Sequence, residues 1–467
     1  MEKTRERFKQ NKPSCESLRK RSCILYSTDI ITTPQTLKFF GISITVFSVV
    51  FRLLNCVLLQ TSFVPDEYWQ SLEIPHRMVF SYGYETWEWK EGIRGYSYPL
   101  LFALMYKLLH LMNYDTVYLL VFVPRVFHAL LAACADVMLY NLVLRWETPD
   151  VAKWTYFCQL CSWFTWFCCS RTLTNTMETV LTTLALCFYP LPGSKTHNRW
   201  VILCQLNQKS PYFCQLCSWF TWFCCSRTLT NTMETVLTTL ALCFYPLPGS
   251  KTHNRDIGIS VHLHTLCSME SLLAHKEFRF VYPVLPFCMI FSGVSLAKLQ
   301  AWRKPAAAAL LLFNLIPALY TGLIHQRGSL DVMHDLRQLC DPSDSQSSPE
   351  LLFLMPCHST PLYSHLHCPL KLRFLECPPD LTGNKEYVDE ADMFFSNPLH
   401  WLQTSFPSQS TLPSHIVLFD GLEKEISSFL EENRFAKQAE IFHTHFPEGR
   451  VGRNILIYTR GSALKIN

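Results

Sequence analysis

Hydrophobic residues run through the first two-thirds of this chain in blocks. Apolar tracts cover residues 37–60, 117–144, 154–169, 172–189, 280–296 and 306–324. A helix that crosses a hydrocarbon core needs about 20 apolar residues, whereas a buried helix in a soluble protein supplies about 10–14. One tract could be either; six in one chain predict a bundle of membrane helices. Beyond residue 325 the pattern changes. Turn clusters at Asp341-Pro-Ser-Asp344 and Pro378-Pro-Asp380 separate short apolar runs at 351–355, 416–419 and 455–459 and one helical run at 421–433. That alternation predicts a small α/β domain. The expected fold is therefore mainly α: a polytopic helical bundle followed by a compact C-terminal α/β domain.

Charge sets the expected topology. Residues 1–23 carry Lys3, Arg5, Arg7, Lys9, Lys12, Arg19, Lys20 and Arg21 and no apolar run, which reads as a cytosolic tail (1–35) rather than a signal peptide. Basic flanks stay in the cytosol, so the first span is expected to deliver the acidic loop 61–98 to the lumen. The same rule places the basic turn Lys298, Arg303 and Lys304 in the cytosol, the segment from His275 in the lumen, and 326–467 in the lumen. The membrane-embedded domain is then 36–325. The formal net charge is only +4. That excludes the basic field a nucleic-acid partner requires, and leaves the membrane itself and lipid-borne molecules as partners.

An identical repeat occupies the middle of the chain. Residues 156–199 recur without a change as 212–255. Architectural repeats drift because each copy packs in different surroundings, so a perfect copy points to a duplicated exon or a gene-model fault. Each copy reads as a helical hairpin whose polar corner, Ser170-Arg171-Thr172-Leu173-Thr174-Asn175 in the first, faces the lumen.

Most of the 21 cysteines lie in apolar tracts, where they act as small hydrophobes. Cys158 and Cys161 have the CxxC spacing but lack a second ligand pair. In the tail, Cys340, Cys357, Cys368 and Cys377 are expected to form disulfides in an oxidising compartment, with three pairings open. Zinc held by Cys357, His358, His365, His367 and Cys368 is the alternative.

Two places carry candidate chemistry. After the first span, Asp66 and Glu67 lie side by side at a membrane boundary, followed by Tyr68 and Trp69. A carboxylate in such low-dielectric surroundings can serve as a base; a helix N-terminal charge pair and an interfacial aromatic belt are the plainer readings. At the entry to a later span stand His275-Lys276-Glu277-Phe278-Arg279-Phe280-Val281-Tyr282-Pro283. Lys276 and Arg279 are one helical turn apart and can meet one phosphate, unless they merely snorkel. Arg125, Asp136 and Glu178 (Glu234 in the copy) fall within apolar tracts, where charge is costly and is expected to be functional or mutually paired. Arg125 and Asp136, three turns apart, share a face.

Taken together, the Asp66-Glu67 loop, the corner running to Glu178 and the motif from His275 to Pro283 resemble the mannosyltransferases of glycosyltransferase family 22. The resemblance is strongest to members that add the third mannose of a glycosylphosphatidylinositol (GPI) precursor. Met355-Pro-Cys-His-Ser-Thr-Pro361, Cys377-Pro-Pro-Asp380 and His443-Thr-His-Phe-Pro447 add to it. The resemblance covers roughly 35–199 and 275–460. In the intervening stretch such proteins carry further membrane helices, where this chain has 200–211, the second hairpin and 256–274.

The resemblance implies a GT-C fold in the endoplasmic reticulum membrane, a multi-pass topology and a lumenal active face. It also implies inverting α-1,2 transfer of mannose from dolichyl-phosphate-mannose to a GPI precursor, with no cofactor and no metal. Asp66, with Glu67 beside it, would act as the base on the acceptor hydroxyl. Arg279, Lys276, His275 and Arg125 would bind the donor phosphate, supported by Glu277, Arg171 and Glu178. A catalytically inactive splice or gene-model variant, or a lipid transporter or scramblase, are the alternative readings.

Counting crossings leaves only 256–274 to bring His275 into the lumen after the second hairpin. That stretch carries Asp256, His262, His264 and Glu270, and one central acidic residue costs about 2.5–3.5 kcal/mol on insertion. Glycosylation acceptor sites placed beside His275 are expected to be modified poorly; efficient modification in a stable, active protein would show that the crossing forms.

Overall fold

Most of each apolar tract among the described residues is helical. In a computed structural model, residues 38–39, 42–188, 278–340 and 349–461 are described, save 382 and 385. The second hairpin, the stretch 256–274, and His275, Lys276 and Glu277 lie outside the described residues. Residues 45–187 and the described part of 275–467 form one compact unit.

Helix α1 (Ile44–Leu58) leads into the acidic loop, which carries the short helices Asp66–Trp69 and Glu73–Phe80. Then follow α2 (Ser97–Leu111), α3 (Val117–Trp146), α4 (Pro149–Cys161), α5 (Trp163–Cys168) and α6 (Thr174–Phe188). After a short 3-10 turn at Phe278–Val284, α7 (Leu285–Lys298), α8 (Arg303–Leu323) and α9 (Gly328–Leu336) complete the helical part.

Among the described residues, three helical stretches, Val117–Trp146, Val281–Lys298 and Gln300–Cys340, are long and apolar enough to cross a membrane. Helix α1, at 15 residues, rises only about 22 Å. The expected span 154–169 is not one helix. Ser162 takes an extended backbone and its hydroxyl accepts the Thr165 N–H at 3.2 Å, so an N-cap inside an apolar run starts a new helix. Helix α2, by contrast, was not among the expected tracts.

Helix α7 lies closely against α4 because Gly293 has no side chain; a Cβ there would collide with Thr155. Between α1 and α3 sits a fully buried ion pair. Arg52 Nε donates to Asp136 Oδ2 at 2.6 Å and Nη2 to Oδ1 at 3.1 Å, and Gln159 Nε2 adds a 3.0 Å bond to Oδ1. The partner of Asp136 is thus Arg52, not Arg125 as their shared helix face had suggested.

The tail holds a five-stranded mixed sheet of β1 (Glu350–Leu354), β2 (Lys371–Phe374), β3 (His415–Phe419), β4 (Phe435–Phe442) and β5 (Asn454–Arg460). Its strand order is β2-β1-β3-β5-β4; β1 pairs in parallel with β2 and β3, and β5 antiparallel with β3 and β4. The three expected strands are the central three. The expected helical run 421–433 is instead two short helices, Asp420–Glu423 and Ser427–Glu432.

Alternate side chains serve opposite layers. Leu351, Phe353, Val417 and Ile457 pack with Val332 and Met333 of α9 and with Tyr68, Trp69 and Phe102. Leu352, Leu354, Ile416 and Leu456 pack on Phe394, Leu402 and Phe429 of the tail's own helices. One continuous core therefore joins the sheet to the acidic loop.

Disulfides pair Cys340 with Cys368 and Cys357 with Cys377, which selects one of the three pairings and removes the thiolates that the zinc alternative needed. All four cysteines are expected to resist alkylation until a reductant is added. Ready labelling of the native protein without reductant would contradict this pairing.

Candidate functional site

Pro65 ends the strand of chain leaving α1, and the turn Asp66–Trp69 begins immediately after it. Neighbouring residues on a helical turn diverge by about 100°, and here the two adjacent carboxylates meet different partners. Glu67 points inward and Asp66 outward. Only 1% of the Glu67 side chain is exposed, against 28% of that of Asp66.

Glu67 is held from the hairpin corner. Arg171, itself fully buried, donates from Nη1 to Glu67 Oε2 at 2.7 Å and to the Thr61 carbonyl at 2.6 Å. Its Nε reaches the Phe167 carbonyl at 2.7 Å and its Nη2 reaches Thr61 Oγ1 at 2.9 Å, with the guanidinium over the Phe167 ring. Thr172 Oγ1 donates to the Glu67 carbonyl at 2.7 Å. The other face of Glu67 meets Arg125 of α3, whose Nη2 stands 3.8 Å from Oε1.

Asp66 pairs with Arg279 of the 3-10 turn, whose Nη1 donates to Oδ2. Residues 213 positions apart, each expected from its own motif, are thus in direct contact. Of the remaining expected residues, Glu178 is half-buried on α6, and His275, Lys276 and Glu277 lie outside the described residues.

The tail closes over this turn. Trp69 donates from Nε1 to the Thr360 carbonyl at 3.0 Å and meets the His358 ring edge-on at 4.4 Å. The segment 355–361 that carried the resemblance therefore packs directly on the helix of Asp66 and Glu67. Burial lowers the His358 imidazole below its ordinary value, against an upward pull from Glu88, Asp66 and Glu376.

Glu73, one turn further along the loop, is fully buried and caps the short helix Tyr363–Leu366. It accepts the N–H groups of Leu362 at 2.8 Å and Ser364 at 3.2 Å and the Ser364 hydroxyl at 2.5 Å. Burial raises its carboxyl above the usual range, opposed by these hydrogen bonds.

Sequence reasoning passed over Arg52, Glu73 and His365 as site-shaping residues. Arg52 had left a signal: it is a charge inside an apolar tract, like Arg125 and Asp136. Glu73 had left none beyond its presence in a polar stretch, and His365 had been read only as a possible zinc ligand.

The helical bundle with its small tail sheet matches a known membrane fold. ArnT of Cupriavidus metallidurans, crystallised with undecaprenyl phosphate, superposes with a TM-score of 0.51 at 10% identity, covering 91% of this chain and 98% of that one. At that identity the likeness concerns the fold alone. Residues 43–207, 200–269 and 250–367 match the Alg9-like mannosyltransferase family, and the chain belongs to that family. It is similar to a GPI alpha-1,2-mannosyltransferase 3 from Danio rerio, 65% identical over an alignment of 532 positions covering 100% of this chain and 99% of that protein. It is also similar to a GPI alpha-1,2-mannosyltransferase 3 from Homo sapiens, at 44% identity over 96% of this chain and 93% of that protein. The family resemblance read from the motifs is borne out, and the chain is a multi-pass membrane glycosyltransferase.

Removing one member of a buried ion pair leaves the other charge uncompensated, at a cost of about 3–5 kcal/mol. Arg171→Met is therefore expected to lower the thermal stability of the detergent-solubilised protein steeply. The double variant Arg171→Met/Glu67→Gln should recover part of the loss. Additive losses in the double variant would show that the two side chains are not coupled.

Proposed function

We propose that this chain transfers mannose from dolichyl-phosphate-mannose to a GPI precursor, adding the third mannose in α-1,2 linkage with inversion. The observation that carries the reading is the contact between Asp66 and Arg279. It puts a half-exposed carboxylate and a cation at one spot, as an inverting transfer from a lipid phosphate requires. The similarity to proteins named GPI alpha-1,2-mannosyltransferase 3 supplies the acceptor. None of these observations favours a transporter, a scramblase or an inactive variant.

In this reading Asp66 takes the proton from the acceptor mannose hydroxyl as its oxygen attacks the anomeric carbon of the donor. The bond to the phosphate oxygen breaks on the opposite side of the sugar, and the phosphate leaves as an anion that needs no proton. Arg279 stabilises that growing charge, together with Lys276 and His275. Donor phosphate would compete with Asp66 for Arg279, so donor binding would free the carboxylate oxygen that accepts the proton. The chemistry needs neither metal nor cofactor, because guanidinium and ammonium groups can meet a phosphate leaving group directly.

We place the protein in the endoplasmic reticulum membrane with this site on the lumenal face. The basic segment 1–23 and the two disulfides of the tail support that orientation.

The test is restoration of GPI-anchored surface proteins in cells lacking their own third mannosyltransferase. The wild-type chain is expected to restore them. Asp66→Asn should insert and fold normally yet lose transfer by about 10²–10⁴-fold, because a near-isosteric amide cannot take the proton. Undiminished transfer by that variant would overturn the role of Asp66.

A further inference from the structure

We propose that Glu67, Arg125 and His365 form a buried subsite that binds a sugar hydroxyl of one of the two lipid-linked substrates. The proposal rests on the mannosyltransferase reading above and extends it to a residue of the tail.

Four polar atoms at and around Tyr68 are buried and without a hydrogen-bond partner: the Tyr68 hydroxyl, Glu67 Oε1, Arg125 Nη2 and His365 Nε2. Glu67 adjoins Tyr68 in sequence, its Oε1 lies 3.8 Å from Arg125 Nη2, and the His365 ring meets the Tyr68 ring edge-on at 5.2 Å. The helix Tyr363–Leu366 packs against α3, which carries Arg125. His365 is only 6% exposed, so its bare nitrogen does not look to bulk water. Buried polar groups are nearly always bonded, and four orphans in one neighbourhood point to an occupant.

The chemistry of that occupant follows from the proton on His365. Glu73 Oε1 already receives two backbone N–H groups, so it accepts the Ser364 hydroxyl as well, at 2.5 Å. With its only proton spent on Glu73, Ser364 Oγ must accept from His365 Nδ1, 2.8 Å away. His365 Nε2 is therefore a bare lone pair. Burial, with Arg125 and Arg337 adding to it, lowers the imidazole to about 3, so it stays neutral at physiological pH. The subsite thus offers two acceptors, one cationic donor and the Tyr68 hydroxyl, which can donate or accept. A phosphate oxygen would face both the Glu67 carboxylate and the imidazole lone pair. A hydroxyl satisfies the set, donating to Nε2 or Oε1 while accepting from Arg125.

Either the mannose of the donor or the terminal mannose of the acceptor could supply the hydroxyl, and deoxy analogues tell them apart. Using the full-length protein in microsomes, kcat/KM is measured with dolichyl-phosphate-mannose and the GPI precursor, and with singly deoxygenated versions of each mannose. Wild type is expected to lose about tenfold or more with one analogue. His365→Ala should lose a similar factor with the parent substrates and nothing further with that analogue, while His365→Gln, which keeps an acceptor, should retain part of the penalty. Should His365→Ala fail to fold, Ser364→Ala serves instead: it frees the imidazole to carry its proton on Nε2 and is expected to shrink the same analogue's penalty. Identical penalties in wild type and variants would mean that a trapped water fills the site, and would overturn the subsite while leaving the mannosyltransferase reading intact. No transfer by the wild-type chain would overturn that reading and the subsite with it.

Discussion

The ion pair of Glu67 and Arg171 is the constraint on which the rest of the site depends. Burying both charges is expensive, and their attraction with the surrounding hydrogen bonds does little more than offset that cost. Its value is positional. Arg171 simultaneously grips the carbonyls of Thr61 and Phe167, so one guanidinium ties the end of the first span, the hairpin corner and the acidic turn together. With Glu67 fixed inward, the helical geometry leaves Asp66 no choice but to face the partly open side, where Arg279 meets it. Two adjacent carboxylates thereby acquire unlike environments without any difference in residue type.

A second constraint comes from the tail, which is built into the site rather than appended to it. The sheet shares its core with Tyr68, Trp69 and Phe102, and Glu73 reaches across to cap the helix of Ser364 and His365. The two disulfides brace the segments flanking His358 and His365. A carboxylate in the loop after the first span, Glu73, is thus oriented by chain more than 280 positions away.

What the sequence made legible follows from what leaves a local signature. Long apolar tracts announced the helices, and the central strands announced themselves because they are buried on both faces and so read as continuous apolar runs. Strands β2 and β4 alternate exposed and buried residues irregularly along the sheet's edges and were missed. The break at Ser162 was hidden because a single capping hydroxyl hardly disturbs an apolar average. Asp66 and Arg279 were singled out from separate motifs, but their contact spans 213 residues and nothing in either motif encodes it. The choice of Arg52 over Arg125 as the partner of Asp136 depends on helix packing, which a shared face on one helix does not specify.

The duplicated hairpin sharpens the point about Arg171. The second copy carries the same Arg227-Thr228 pair as Arg171-Thr172, so by composition either copy is equally fit to dock against the acidic turn. The turn offers a single Glu67, and its Oε2 and carbonyl are already taken by Arg171 and Thr172 of the first copy. A second guanidinium brought to the same place would find Glu67 Oε2 and the carbonyls of Thr61 and Phe167 already occupied, and burying it without that set of partners is costly. Identity of sequence therefore cannot give identity of environment: the acidic turn holds one arginine in the way it holds Arg171.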